Sequence, residues 1–362
     1  MKVPRRILVA VPLRIGDVLL TTPVIRSMRV AWPEAEIDVL VFENTEGVLQ
    51  RNPDIHRLIT VPARPKFWAH LRLILSLLRR YDLALTTQLG DRPTLYAWIA
   101  GKTRIGMQDG SSKERWKQHL LTRWAFFDRV NTHTVLTNLG LVDLLGIKRS
   151  HEIIVAWASS DEKSVAGLLP FDMGREPFAV LHMSPKFAYK MWHRDGWIEL
   201  ARWLEKKGIR SVLTGSGAAD EMEYVEQIFR SMPSGTVNMA GKLSLAESTF
   251  LISCAKCYVG PDTALTHMAA ALGTPTVALF GPSNPVKWGP WPKGYAEDRN
   301  PYQMHGTQRV NNVVLLQGEA KAGCVPCLEE GCKRHNDSLS DCLQSLPAAG
   351  VIDALRELMD TP

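Results

Sequence analysis

Short apolar, β-rich runs alternate with stretches of helical period along almost the whole chain, and this alternation restricts the fold more than any other feature. In the first half the runs lie at 6–11, 36–42, 55–61 and 82–87, with helical patterns at about 17–31, 44–51, 66–80 and 132–146. In the second half, runs at 177–182, 210–214, 256–260 and 275–280 alternate with helices near 193–207, 218–231, 244–254 and 263–272. A strand followed by a helix returns most readily as a parallel neighbour, giving sheets that helices cover on both faces. The chain is therefore expected to be α/β, with two doubly wound, Rossmann-like domains and a cleft between them. Gly, Pro and charge interrupt the pattern at "LLPFDMGREP", residues 168–177. That sets expected domains of 1–168 and 169–345, with a C-terminal helix over 346–362 packing back on the first domain as one option. Ligands of such sheets sit beyond the C-terminal ends of the strands.

At 362 residues, 45% apolar and 22% charged, the chain is long enough for two cores. Its opening, "MKVPRRILVAVPLRIGD", imitates a secretion signal. However, the apolar run is only Ile7 to Leu13, and Arg14 and Asp17 follow instead of a small-residue cleavage site. No run approaches the roughly 18 apolar residues of a membrane span, so a soluble, cytoplasmic protein is expected. The net charge is +6, and the first 130 residues are rich in basic side chains, among them Arg14, Arg64, Lys66, Lys113, Arg115 and Lys117. A basic half suits an acidic partner, whether nucleic acid, anionic lipid or a phosphorylated substrate, and a merely solvated surface is the plain alternative. Nucleic acid is disfavoured, because no binding motif is visible and aromatic residues do not interleave with the basic ones.

Strand ends carry the chemistry. "GPDTALTHMAAALGTPTVALFGPSNP", residues 260–285, places Asp262, Thr263 and His267 on the first turn of an otherwise apolar helix. Capping explains one of Asp262 and Thr263 but not both, and does not explain His267. A helix N-terminus beside strand ends favours an anion, since free N–H groups and the helix dipole both attract negative charge. After other strands, "VLHMSPKFAYKMW" offers Ser184, Lys186 and Lys190, and "VLTGSGAADE" offers a Gly-rich loop with Asp220 and Glu221. Such a set suits a diphosphate and sugar hydroxyls, although "GSGAAD" matches neither a Walker A loop nor the full dinucleotide fingerprint. In the first half, Gly16 permits a tight turn and Asp17 starts the next helix, either as its cap or as a carboxylate at the mouth of the cleft.

These blocks have a familiar order. "GDVLLTTPVIRSMRVAWPEAEIDVLV", "KMWHRDGWIELARWL", "LTGSGAADE" and the 260–285 stretch resemble the successive signatures of the bacterial lipopolysaccharide core heptosyltransferases, glycosyltransferase family 9. They span residues 6 to about 292. "SPKFAYKMW" and "WGPWP" look most like the branch that adds a later or branching heptose. The resemblance implies a GT-B fold with acceptor on the N-terminal domain and nucleotide-sugar on the C-terminal one. It implies inverting transfer of L-glycero-D-manno-heptose from ADP-heptose, a co-substrate, to a lipid A-linked Kdo/heptose core at the cytoplasmic face of the inner membrane, with no metal required. It also implies roles: Asp17 as general base, Lys190 near the donor diphosphate, and Ser184 contacting phosphate. Glu221 would approach the adenosine ribose and Leu243 the adenine, with Asp262, Thr263, Ala264 and His267 in the donor-binding block. Two positions depart from the pattern. Ala264 stands where relatives often carry glycine, and "SPK", residues 184–186, where some have paired threonines.

The residues agree with that chemistry. An acceptor hydroxyl must lose its proton as it attacks, and a carboxylate can take it. A leaving diphosphate needs cations and N–H donors, here Lys190 and the Thr263 helix terminus, with Lys186 close in sequence. No Asp-x-Asp stands at a strand end to hold a divalent ion, so a protein cation is expected to replace it. Rival readings are another GT-B nucleotide-sugar transferase, an epimerase, or a non-catalytic sugar-nucleotide or lipopolysaccharide binder, for which Asp17 would have no use. Cys254 and Cys257 read as buried packing. Cys324, Cys327, Cys332 and Cys342 are spaced for a structural zinc or an iron–sulfur cluster, with a reduced loop or a disulfide as the alternatives.

Overall fold

The computed structural model describes residues 2–320 and 323–360. The chain divides into two compact units, one of residues 1–156 with 296–300, the other of 157–295 with 301–362.

The first unit is a six-stranded parallel sheet: β1 (Arg6–Ala10), β2 (Glu36–Phe42), β3 (Arg57–Val61), β4 (Tyr81–Leu85), β5 (Gly101–Gln108) and β6 (Arg123–Phe126), in the order β3-β2-β1-β4-β5-β6. Its helices are α1 (Ile15–Leu19), α2 (Thr22–Ala31), α3 (Phe67–Leu77), α4 (Asp91–Ala100) and α5 (Thr134–Leu145). The expected helix over 17–31 is two helices, because the chain turns at Leu20 and Thr21 before Pro23 opens α2. The helix expected over 44–51 is only a 3₁₀ turn at Glu46–Val48.

The second unit opens with α6 (Ser159–Leu168). Then follow β7 (Phe178–His182), α7 (Arg194–Lys206), β8 (Arg210–Thr214), α8 (Ala219–Phe229), β9 (Val237–Asn238), α9 (Leu245–Cys254), β10 (Cys257–Pro261), α10 (Ala264–Leu272), β11 (Thr276–Phe280) and α11 (Pro285–Trp288). The unit closes with β12 (Gln308–Val310), β13 (Val313–Gln317), α12 (Asp341–Gln344) and α13 (Ala348–Met359). The sheet runs β12-β13-β11-β10-β7-β8-β9, parallel except for the β12–β13 pair. Strands β7, β10 and β11 are buried throughout, as a sheet covered on both faces requires.

One expected boundary shifts. The units part at Ala156 rather than near 168, because α6 packs on α9 and Trp157 meets Phe250 with ring centroids 5.8 Å apart. The C-terminal helix α13 belongs to the second unit. It packs against α7, β11 and β13, burying Val351, Ile352, Leu355 and Leu358 in the second core. No helix among the described residues is long and apolar enough to cross a membrane.

In each sheet the strand order reverses at one point: between β2 and β4 at β1 in the first, and between β8 and β10 at β7 in the second. Crevices form at the C-terminal ends of strands around such reversals.

Candidate active site

In the second unit the reversal point gathers residues from three loops. After β10, Asp262 is seated on its neighbours rather than on a helix terminus. Its carboxylate Oδ2 accepts from Lys190 Nζ at 2.6 Å, while Oδ1 lies 3.8 Å from His267 Nε2. Ser283, in the turn after the adjacent β11, also donates to it. Burial pushes the Asp262 carboxyl up, but the Lys190 charge and these hydrogen bonds outweigh it, so its pKa stands below the usual value. Burial pushes the His267 imidazole down to about 4. His267 is thus neutral near pH 7, and its approach to Asp262 is a polar contact, not an ion pair. Its Nδ1 is buried with no hydrogen-bond partner among the described residues.

The capping explanation of this stretch fails. Thr263 is the N-cap residue of α10, but no side chain caps the helix. The Thr263 hydroxyl instead meets that of Thr266 at 3.2 Å, and Tyr258 meets Thr266 at 3.0 Å. The first turn of α10, with Ala264 at its start, keeps its backbone donors for something other than a side-chain cap.

Lys190 is placed by distant residues. Asn336 O accepts from Ala188 N at 3.0 Å, Ser340 Oγ donates to Tyr189 O at 2.7 Å, and Gln344 Nε2 donates to Met191 O at 2.8 Å. Trp192 Nε1 and His193 Nε2 both donate to Leu346 O at 2.8 Å, while His193 Nδ1 accepts from Gly196 N at 3.0 Å and caps α7. Residues 336–346 thereby brace the lysine loop from both sides.

The remaining candidates spread around the same strand ends. Ser184 is buried just beyond β7, whereas Lys186 is exposed, its ammonium 5.9 Å from the Phe187 ring. Glu221 lies in the first turn of α8 and accepts from the Ser216 hydroxyl. Leu243 is half-buried against the core beside β9. A hollow of about 300 Å³ lined by Glu176, Arg210 and Thr236 lies at the opposite, N-terminal edge of this sheet, away from these groups.

In the first unit Asp17 is half-buried in the first turn of α1, but it is not the cap: Arg14 holds that position, without a side-chain cap. Gly16 has ordinary helical backbone, not the tight turn expected of it. The short helix is held by hydroxyls. Thr21 Oγ1 donates to Asp17 O at 3.0 Å and meets Thr87 Oγ1, beyond β4, at 3.1 Å, while Asn138 Nδ2 donates to Leu20 O at 3.0 Å. Arg14, Arg64, Lys66, Lys113 and Arg115 are exposed. Lys117 is not a surface cation. Its side chain is 1% exposed and pairs with Asp91 at 2.8 Å and with Glu114.

Ser283, Thr87 and the brace were missed in the sequence. The signal for Ser283 was its place after the strand next to β10; none marked the brace. Cys257 is buried, its thiol pushed up to about 12, but Cys254 is exposed rather than packed. Cys324, Cys327 and Cys332 are exposed and Cys342 is buried. Burial and then the nearby thiols raise Cys342 to about 12. No three His, Cys, Asp or Glu side chains among the described residues are arranged to hold a metal ion, these four included.

Two Rossmann-ordered sheets in one chain are the GT-B arrangement, the fold of the solved structures it resembles. The Escherichia coli ADP-heptose lipopolysaccharide heptosyltransferase II matches 98% of both chains at 21% identity with a TM-score of 0.75. E. coli heptosyltransferase WaaC with ADP matches 98% of this chain and 99% of its own at 20% identity and 0.71. In sequence, lipopolysaccharide heptosyltransferase 3 of E. coli K12 is 28% identical over 288 residues, covering 76% of this chain and 82% of the relative. The chain belongs to glycosyltransferase family 9 (heptosyltransferase), whose sequence pattern matches residues 70–316.

Proposed function

We propose that the enzyme transfers L-glycero-D-manno-heptose from ADP-heptose to the lipid A-linked Kdo/heptose core of lipopolysaccharide, inverting the anomeric centre and working at the cytoplasmic face of the inner membrane. The observation that carries this reading is the Lys190–Asp262 pair at the reversal point of the second sheet, beside a helix N-terminus that no side chain caps. A buried carboxylate fixes the ammonium in place, and the ammonium and the α10 N–H groups together suit a diphosphate. His267 Nδ1, buried and unsatisfied, is an atom that a donor hydroxyl would complete. Ser184, Glu221, Leu243 and Ala264 line the same strand ends and take the phosphate, ribose, adenine and sugar in this reading.

Asp17 is the general base. Its carboxylate takes the proton of the acceptor hydroxyl as that oxygen bonds to the anomeric carbon. The bond from that carbon to the β-phosphate oxygen breaks, and ADP leaves with the electron pair. Charge building on the leaving diphosphate is met by Lys190, so the step needs no divalent ion. Arg14, Arg64, Lys66, Lys113 and Arg115 draw in the phosphorylated acceptor.

The test is turnover of ADP-heptose against core acceptors truncated one sugar at a time, with the product linkage determined. Transfer to one truncation and not to the one before it identifies the acceptor sugar. Absence of transfer from ADP-heptose to any core acceptor overturns the reading.

A further inference from the structure

α3 is anchored on one side and unfinished on the other. Leu73 and Leu77 pack with Tyr81, Tyr96 and Ala97 in the core of the first unit. Trp68, Arg72 and Leu75, spaced i, i+4, i+7, form the opposite stripe. Phe67 and Trp68 are each 71% exposed, Leu75 58% and Leu78 53%. The Phe67 and Trp68 rings meet edge to face with centroids 5.2 Å apart, so each shelters mainly against the other. Exposed cations frame the stripe, with Arg64 and Lys66 before it, Arg72 within it and Arg80 after it. The neighbouring α4 exposes Leu95 and Trp98.

The charge pattern selects the occupant. Here an arginine interrupts the apolar stripe and basic residues stand at both ends, with no acidic residue between Arg64 and Arg80. Aromatic and leucine side chains that enter the acyl boundary, with lysine and arginine reaching the headgroups, are how an interfacial helix meets an anionic bilayer.

We propose that α3 docks the enzyme on an anionic phospholipid surface, with Phe67, Trp68, Leu75 and Leu78 in the interfacial layer and Arg72 and Arg80 against the headgroups. The proposal deepens the functional reading above and rests on it, because a lipid-linked acceptor is what makes bilayer contact useful. The full chain is sedimented with vesicles of phosphatidylethanolamine and phosphatidylglycerol, and separately with phosphatidylcholine alone. Binding is expected to the anionic vesicles, weaker by about tenfold or more on the neutral ones and at high salt. Phe67→Ser, Trp68→Ser and Leu75→Ser together should abolish vesicle binding, yet leave the melting temperature and transfer to a water-soluble, delipidated core oligosaccharide unchanged. Arg72→Glu with Arg80→Glu should weaken binding to anionic vesicles with the apolar residues intact.

Equal binding to neutral and anionic vesicles, or undiminished binding by the triple variant, overturns the proposal. A wild-type dimer that the triple variant converts to monomer also overturns it, making the face a subunit interface. Vesicle binding that vanishes in the variants, in an enzyme that transfers heptose to no core acceptor, supports the docking surface and sinks only the acceptor reading.

Discussion

The two units share the order of their first five strands and place their polar groups differently. In the second, the buried charge lies at the C-terminal strand ends, where Lys190 and Asp262 pair. In the first, those ends carry the hydroxyls of Thr21 and Thr87 and the buried Lys117, paired with Asp91 and Glu114, and a second buried charge lies at the other edge. There Asp38 accepts from Arg57 and from the Tyr81 hydroxyl, both at 2.7 Å, and contacts His56 at 3.0 Å. Their hydrogen bonds outweigh burial and lower its pKa. Of the sixteen exposed large apolar residues among those described, twelve belong to the first unit. One architecture thus serves two roles. In the second unit the buried cation stands beside an uncapped helix terminus, whereas in the first it is shared between two carboxylates and most of the exposed apolar surface lies on that unit's outside.

If that division is right, two variants should fail differently. Asp17→Asn keeps the volume but cannot accept a proton, and kcat should fall about 10²-fold or more with donor affinity and melting temperature unchanged. A variant that unfolds while keeping its turnover per folded molecule would make Asp17 structural. Lys190→Ala removes a charged hydrogen bond worth about 1.5–3 kcal/mol, so donor affinity should fall roughly 10- to 150-fold by calorimetry. It also strands a buried carboxylate and lowers stability. Adding Asp262→Asn should restore the melting temperature but not the donor affinity. Recovery of both would mean that Lys190 serves the fold alone.

Acid should expose the second unit. Burial holds His182 and His267 down to about 4, whereas in the unfolded chain they titrate near 6.5. Between those values the unfolded state binds more protons, so stability falls as pH drops from about 6.5 toward 4. Asp262, its pKa lowered, stays charged through that window, and its contribution is lost only at lower pH. The urea midpoint should be lower at pH 5 than at pH 7.5, and His267→Gln should shrink the difference. A midpoint that ignores pH would mean that these imidazoles are not buried neutral.

The smallest effects belong to the first unit's surface. Lys113→Glu with Arg115→Glu should raise the acceptor KM only a few-fold, and added salt should erase the difference. A chelator should leave initial rates unchanged; loss that magnesium restores would end the metal-free mechanism.

Much of the second unit was legible in the sequence, because its central strands are short, mainly apolar and separated by helices of clear period. The run at 210–214 coincides with β8, and 193–207, 244–254 and 263–272 overrun α7, α9 and α10 by one or two residues. The first unit was less legible. β5 begins Gly-Lys-Thr-Arg and β6 is the exposed edge strand, so neither gives an apolar run. The proposed donor-side residues stand out because polar groups interrupt apolar segments at strand ends. Lys117 misled because a buried, paired lysine and a surface one look alike in composition. The brace was invisible, since its bonds end on backbone carbonyl and amide groups that any residue supplies.

That brace has a consequence for how the enzyme is made. Lys190 emerges from the ribosome long before Asn336, Ser340, Gln344 and Leu346, which fix its loop. The first unit also waits: Asn300 accepts from His133 N at 2.8 Å and donates to Asn131 O, and Asp298 pairs with Arg149. A nascent chain released before about residue 346 would carry every proposed donor-binding residue and still lack part of the brace on the lysine loop.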